Sequence, residues 1–182
     1  MSRDTHRSRF DARAMRIRID HSVTAEDGVS LWPLYDAVFH DWADFEAWRG
    51  AVWDKHSSRR GFRLARAYDG DHLIGFAYGY TGERGQWWTD NAREVLAAEV
   101  ADAWLGGHFE LVSIGVLERA RGAGVGRALM HRLTEGLPQD RWLLMTTADE
   151  SDAARRLYAA DGWRVIGPGL GEATVIMAKR RP

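Results

Sequence analysis

The chain has 182 residues, 45% apolar and 28% charged, with 25 Lys and Arg against 26 Asp and Glu. That length and composition fit one globular domain with its own core and exclude disordered, collagenous and coiled-coil chains. The near-cancelling charge removes the basic field expected of a sequence-independent nucleic-acid binder, and the absence of cysteine removes disulfide scaffolds, thiolate nucleophiles and Cys-ligated metals.

Residues 1–14 include Arg3, Arg7, Arg9 and Arg13 but no apolar stretch. They read as a flexible Arg-rich arm ahead of a single domain over 15–182, and not as a secretory leader. No run approaches the roughly 18 apolar residues of a membrane span, so no membrane partner is expected and a reducing cytoplasm is the natural setting. Met15, Ile17 and Ile19 alternate with charged residues, the period of a strand with one buried face. Thr24 with Asp27 marks a capped helix start, and Leu31, Leu34, Tyr35 and Val38 recur at helical spacing, with Pro33 expected to kink or restart the helix. Asp44 caps a second helix whose Phe45, Trp48 and Val52 share a stripe. Strands over 62–68 and 72–80 flank Asp69-Gly70-Asp71, which is strong hairpin chemistry.

Residues 81–107 read as an inserted loop plus helix: Gly82, Gly85, Trp87 and Trp88 in the loop, 90–105 in the helix. Then come a strand over 109–117, a helix over 124–136, a strand over 142–147, a helix over 151–161, and strands over 163–166 and 173–178. The fold class is α/β (α+β): a mixed, mainly antiparallel sheet of about seven strands flanked by helices, with parallel crossovers after Phe109.

The informative stretch is Arg121-Gly122-Ala123-Gly124-Val125-Gly126-Arg127, set between a strand and a helix. Glycines let successive backbone N–H groups converge on an anion, and the following helix adds the positive end of its dipole. Arg119, Arg121, Arg127 and Arg132 against Glu118 supply a basic patch. A dinucleotide fingerprint would need glycine at Arg127 or Leu129, and a P-loop would need Gly-Lys-Ser/Thr closing the turn, so hydride transfer and NTP hydrolysis both fail. Downstream, Ser151, Ala154, Leu157, Tyr158, Gly162 and Trp163 form a helix ending in Leu-Tyr-x-x-x-Gly-Trp.

Together these residues resemble the GCN5-related N-acetyltransferase family. Arg121-x-x-Gly124-x-Gly126 is similar to that family's acetyl-CoA pyrophosphate loop, Ile114-Gly115-Val116 to the end of its preceding strand, and the Leu157-Tyr158 helix to its thiol-side element. The likeness covers 109–163; Glu118 stands where the family often has Pro, and Ser151 where it often has Asn, which puts one polar contact to the pantetheine arm in doubt. The resemblance implies acetyl-CoA as co-substrate, the backbone of residues 122–127 on its pyrophosphate, and the main chain of Ile114 and Val116 paired with pantetheine like an added strand. Ser151 and Ala154 lie on the same cofactor side. Val116 N–H is the candidate oxyanion donor.

Acetyl transfer to an amine also needs an acid for the leaving thiolate and a base for the ammonium. Tyr158, a phenol protonated at neutral pH, is the candidate acid. Glu110 is the candidate base: alternation places it with Val112, Ile114 and Val116 on one strand face, where apolar neighbours would raise its pKa. His108 and Asp149 are weaker substitutes. The seven histidines show no metal-ligand spacing, and no nucleophile elbow occurs, so direct transfer in a ternary complex without a metal is the economical mechanism. Trp87 and Trp88, paired in a loop, are candidates to close over the acceptor or stack on a cation. The expected acceptor is the primary amine of a small molecule, with a protein N-terminus or lysine, or a CoA-binding module without turnover, as alternatives. Asp4 and Asp11 interrupt the arginine arm and no stacking motif accompanies it, so no nucleic-acid partner is expected. The chain is expected to be a monomer or homodimer.

Overall fold

A computed structural model describes residues 14–181; all but the last residue of the arginine arm therefore lies outside the described residues. Seven strands form one sheet in the order β1-β2-β3-β4-β5-β7-β6: β1 Arg16–Asp20, β2 Arg63–Asp69, β3 His72–Gly82, β4 His108–Val116, β5 Arg141–Thr147, β6 Arg164–Pro168 and β7 Thr174–Arg180. All neighbours are antiparallel except β4 and β5. The mixed, mainly antiparallel expectation therefore holds, with one parallel pair.

On one face, α6 (Val125–Thr134) and α7 (Ala153–Ala160) bury Val125, Leu129, Leu133 and Tyr158 against Ala77, Phe109, Leu111 and Leu144 of the sheet. The other face is covered in two halves. Helix α1 (Ala25–Phe39) and the helical segment α2 (Phe45–Trp48) to α3 (Asp54–Ser57) lie over β2 and β3, packing Leu31, Tyr35, Trp48 and Trp53 on Phe76, Tyr78 and Tyr80. Helices α4 (Trp87–Val95) and α5 (Ala98–Trp104) lie over β5 and β7, packing Trp88, Ala92 and Ala101 on Leu143, Ile176 and Ala178.

Four local expectations are corrected. Helix α1 starts as read, with the Asp27 carboxylate accepting from the Thr24 N–H at 2.8 Å and its hydroxyl at 3.1 Å. However, it runs unbroken through Pro33. Both Pro33 and Val29, whose carbonyl the ring deprives of a donor, are exposed, so water can satisfy that carbonyl. Between α2 and α3 the chain takes a π turn over Arg49–Trp53, which moves the buried stripe by one position. Trp53, not Val52, stacks on Trp48, with ring centroids 5.4 Å apart. The inserted segment is two short helices, not one; Gly82 ends β3, and Trp87 and Trp88 open α4 instead of lying in a loop.

The fourth correction falls on β4. Tyr78 pairs with Ser113 and Gly79 with Leu111, leaving Val112 as the extra residue of a bulge. A bulge inverts the alternation beyond it. Val112 packs with the α1 side, whereas Ile114 and Val116 pack with the α6 side, so Glu110 does not share their face.

Candidate active site

Strands β4 and β5 pair only at Phe109 with Trp142 and Glu110 with Leu143. Beyond that point they diverge, because the bulge at Val112 turns β4 away. The edge of 111–116 that faces β5 thus has no strand partner among the described residues. Leu117 N–H donates to the Ile74 carbonyl on the β3 side at 2.9 Å. In a strand the N–H and C=O of one residue point to the same edge and those of its neighbour to the opposite edge, so those of Val116 and Ile114 face the open slot. A strand edge left unpaired in this way can take up an extended ligand by main-chain hydrogen bonds.

The slot runs out at the glycine turn. A 3₁₀ turn over Glu118–Ala120 leads to Gly122 (φ +76°) and Gly124 (φ +83°), left-handed conformations that side-chain-bearing residues avoid, and a Cβ at either would meet open space. The first helical bond of α6 is Ala128 N–H to the Gly124 carbonyl at 3.0 Å, so the N–H groups ahead of it are free of intrahelical partners. Residues 121–124 and Arg127 are exposed, and no side chain of the turn fills it. Gly126 serves packing instead: a Cβ there would stand 3.2 Å from Leu157, which sets the close approach of α6 to α7. Arg132 pairs with Glu135 at the far end of α6 and is not part of the cradle. Arg121 Nε donates to the Val116 carbonyl at 3.1 Å, placing its guanidinium beside the slot. The turn therefore fits a diphosphate in shape and in charge.

Tyr158 comes from α7 and is 5% exposed against Trp163, ring centroids 6.2 Å apart. Burial, aided by Asp152, pushes its phenol well above the usual value, so it stays protonated. Ser151 sits just before the helix, its hydroxyl and N–H both donating to Asp149 Oδ1 at 2.7 and 2.8 Å. Asp152 is the helix cap, accepting from Ala154 N–H at 2.8 Å.

Glu110 occupies the vertex where β4 and β5 part, 4% exposed, facing the α1 to α5 side of the sheet. Burial pushes its carboxyl up to about 8; Arg59 and the hydroxyl of Tyr80, which donates to Oε1 at 3.3 Å, pull the other way. Oε2 is buried without a partner. Asp149 is exposed and held below the usual carboxylate value by the Ser151 hydroxyl, a poor position for a base. His108 is fully buried, its pKa pushed down to about 3 chiefly by burial, with Nδ1 accepting from Gly106 N–H. Trp88 is core, 8% exposed beside His108, whereas Trp87 is 67% exposed. Tyr80 and Arg59 near Glu110 carry no sequence signal; the pairing of β3 with β4 sets Tyr80 opposite Glu110, and Arg59 comes in over the Tyr80 ring from the turn after α3.

Cavities of about 600 Å³ along Arg16, Arg18 and Tyr68, and about 470 Å³ along His131, Trp142 and Lys179, both lie away from this slot. Among the described residues no group of three His, Cys, Asp or Glu could hold a metal, and no helix is long and apolar enough to cross a membrane.

An open β4–β5 edge leading to a glycine-rich helix N-terminus is a shape that could take an extended, phosphate-bearing ligand. The sequence matches the model of the acetyltransferase (GNAT) family over residues 28–163. It is 30% identical over 150 residues to a GCN5-like protein acetyltransferase of Mycobacterium tuberculosis, covering 66% of this chain and 73% of that one. The fold is similar to an acetyltransferase from Thermus thermophilus (TM-score 0.67, 15% identity, 92% and 99% covered) and to Arabidopsis thaliana NAA60 in complex with acetyl-CoA (TM-score 0.58, 16% identity, 91% and 98% covered). The chain belongs to the GNAT acetyltransferase family and is an acyltransferase.

Proposed function

We propose that the chain moves an acetyl group from acetyl-CoA to a primary amine by direct attack in a ternary complex. The observation that carries this reading is the unpaired edge of β4, open from the buried carboxylate of Glu110 to the free N–H groups of the glycine turn. Backbone amides of Gly122, Ala123, Gly124, Val125, Gly126 and Arg127 hold the pyrophosphate, with Arg121 beside it; the main chain of Ile114 and Val116, with Gly115 between them, pairs with the pantetheine. Ser151 and Ala154 flank the thiol end. Bound there, acetyl-CoA supplies an already activated thioester, so the protein's work is positioning and proton transfer.

Glu110 Oε2 takes the proton of the incoming ammonium. Val116 N–H, aimed into the slot, donates to the oxygen that gains charge. Tyr158, kept protonated by burial, gives its proton to the departing thiolate. The acceptor enters on the Glu110 face, between the α1–α3 and α4–α5 halves, where exposed Trp87 at the start of α4 offers an indole to it.

For the acceptor we favour a small-molecule amine; the relative named as a protein acetyltransferase supports a second reading, in which a lysine or a protein N-terminus enters the same face. One assay separates them. Thiol release from acetyl-CoA is followed across a panel of amines and peptides, with product masses read for a gain of about 42 Da, the acetyl of a direct transfer. A gain on small amines and none on peptides is the expected result; a gain on peptides alone establishes the second reading and overturns the first.

A further inference from the structure

Glu110 faces Tyr80 and Tyr78 from β3 and Arg59 from the turn after α3; His108 lies two residues away on its own strand, and His56 of α3 lies against the Tyr80 ring, centroids 5.3 Å apart. Of these, only Tyr80 contacts the carboxylate, its hydroxyl donating to Oε1 at 3.3 Å. Tyr80 is 1% exposed, and the Arg59 guanidinium lies over its ring, 4.5 Å from the centroid. The guanidinium is itself held: Arg59 Nη1 donates to Gln86 Oε1 at 3.1 Å, and Gln86 Nε2 donates to the Thr81 carbonyl at 3.0 Å. A chain of contacts thus runs from the entry of α4 through Arg59 and Tyr80 to one oxygen of Glu110, leaving the other oxygen without a partner.

We infer that Arg59 and Tyr80 are positioning residues that fix the Glu110 carboxylate, Tyr80 by holding Oε1 and Arg59 by clamping the phenol, so that Oε2 alone is presented to the acceptor. The catalytic consequence rests on Glu110 being the base. A carboxylate with one oxygen anchored loses its rotational freedom before the acceptor arrives, and a cation over a buried ring is worth more than one in water. The clamp also favours the ionised form. Burial drives the carboxyl upward, while Arg59 and the Tyr80 hydroxyl both draw it back toward neutral pH, where a base is most useful. His56 adds no charge to this balance: burial, with Arg59 and Lys55, pushes it down to about 4, and its neutral ring pairs with the Tyr78 hydroxyl at 3.1 Å.

Two measurements on the intact chain test the inference. The first is the titration midpoint of Glu110, read by carboxylate NMR or infrared difference spectroscopy in wild type, Tyr80→Phe, Arg59→Met and Arg59→Lys. The second is the pH profile of kcat/KM in the same proteins and in Glu110→Gln. Both Tyr80→Phe and Arg59→Met should raise the midpoint and move the acid limb of the profile upward, lowering the rate at pH 7 by about 3- to 10-fold. Acetyl-CoA KM should be unchanged, and Arg59→Lys, which keeps a cation over the ring, should recover part of the loss. A midpoint that stays at the wild-type value in both Tyr80→Phe and Arg59→Met overturns the inference, whatever the rates do. A midpoint that moves, with Glu110→Gln retaining full kcat/KM, upholds the coupling and overturns the reading of Glu110 as base.

Discussion

Glu110, buried as a carboxyl, is costly to the fold, and as the proposed base it would serve the reaction. Its carboxyl is pushed up to about 8 by burial, far above its ordinary value of 4.5. A group with a raised folded pKa stabilises the protein below its unfolded value, and that contribution is lost as pH rises through the folded value. Glu110→Gln should therefore raise the melting temperature at pH 9 by about 2–4 °C per kcal/mol recovered, and little at pH 4, in parallel thermal melts. The same substitution should lower kcat/KM by about 10²-fold and abolish the acid limb near pH 8, since only the ionised carboxylate accepts a proton. At Tyr158, replacement by Phe keeps the ring packed on Trp163 and removes only the hydroxyl, so turnover should fall about 10²-fold with the melting temperature nearly unchanged. An unaltered rate there would remove the phenol as the acid.

At the scale of elements, β1, β2 and α1 are fastened by a charge cluster. Arg66 of β2 donates to Asp20 of β1 at 2.7 Å and to Asp27 of α1 at 2.8 Å, and Arg66 and Asp20 are both under a tenth exposed. Burial alone would raise Asp27, but the Thr24 N–H and the Arg66 guanidinium outweigh it and hold the carboxyl below its usual value of 3.8. Stability from Asp27 is thus present above that value and lost as pH falls through the lower folded one. Arg66→Met takes the buried cation from both carboxylates, leaving Asp20 with Arg18 and Asp27 with Thr24, and should cost up to about 3–5 kcal/mol in denaturant titrations at pH 7, with Asp27's share of the deficit shrinking as the pH falls. Much of this level was legible in the sequence. Thr24 with Asp27 announced the start of α1, and Asp69-Gly70-Asp71 the β2–β3 hairpin, because capping and turn chemistry act within a few residues. The π turn before Trp53 and the bulge at Val112 were not. Each adds one residue to a local pattern for the sake of packing against distant elements, and periodicity registers only the pattern.

For the molecule as a whole, the two halves of the sheet meet only through the short parallel pairing of β4 with β5. A ligand that fills the slot adds the missing main-chain bonds, so coenzyme A at about 100 times its Kd should stabilise the fold by about 2.7 kcal/mol, a rise of about 5–10 °C in melting temperature. Gly124→Val forces a branched side chain into the left-handed conformation at φ +83° and adds bulk to the turn. The strain should lower the unliganded melt by a few °C, about 1–2 kcal/mol, and the variant should lose most of the rise that coenzyme A gives. An equal rise in the variant would move the diphosphate away from the turn.

By itself, the sequence determined the mixed sheet, the glycine cradle at residues 122–127 and the family, since these rest on short-range spacing and on backbone freedom that particular residues confer. Tertiary structure alone decided that Glu110 faces away from Ile114 and Val116, that Trp88 is core while Trp87 is exposed, and that Tyr80 bonds the carboxylate with Arg59 over its ring. Those relations depend on strand register and on which helix covers which half of the sheet, and burial, which sets the charge of Glu110, exists only once the chain has closed on itself.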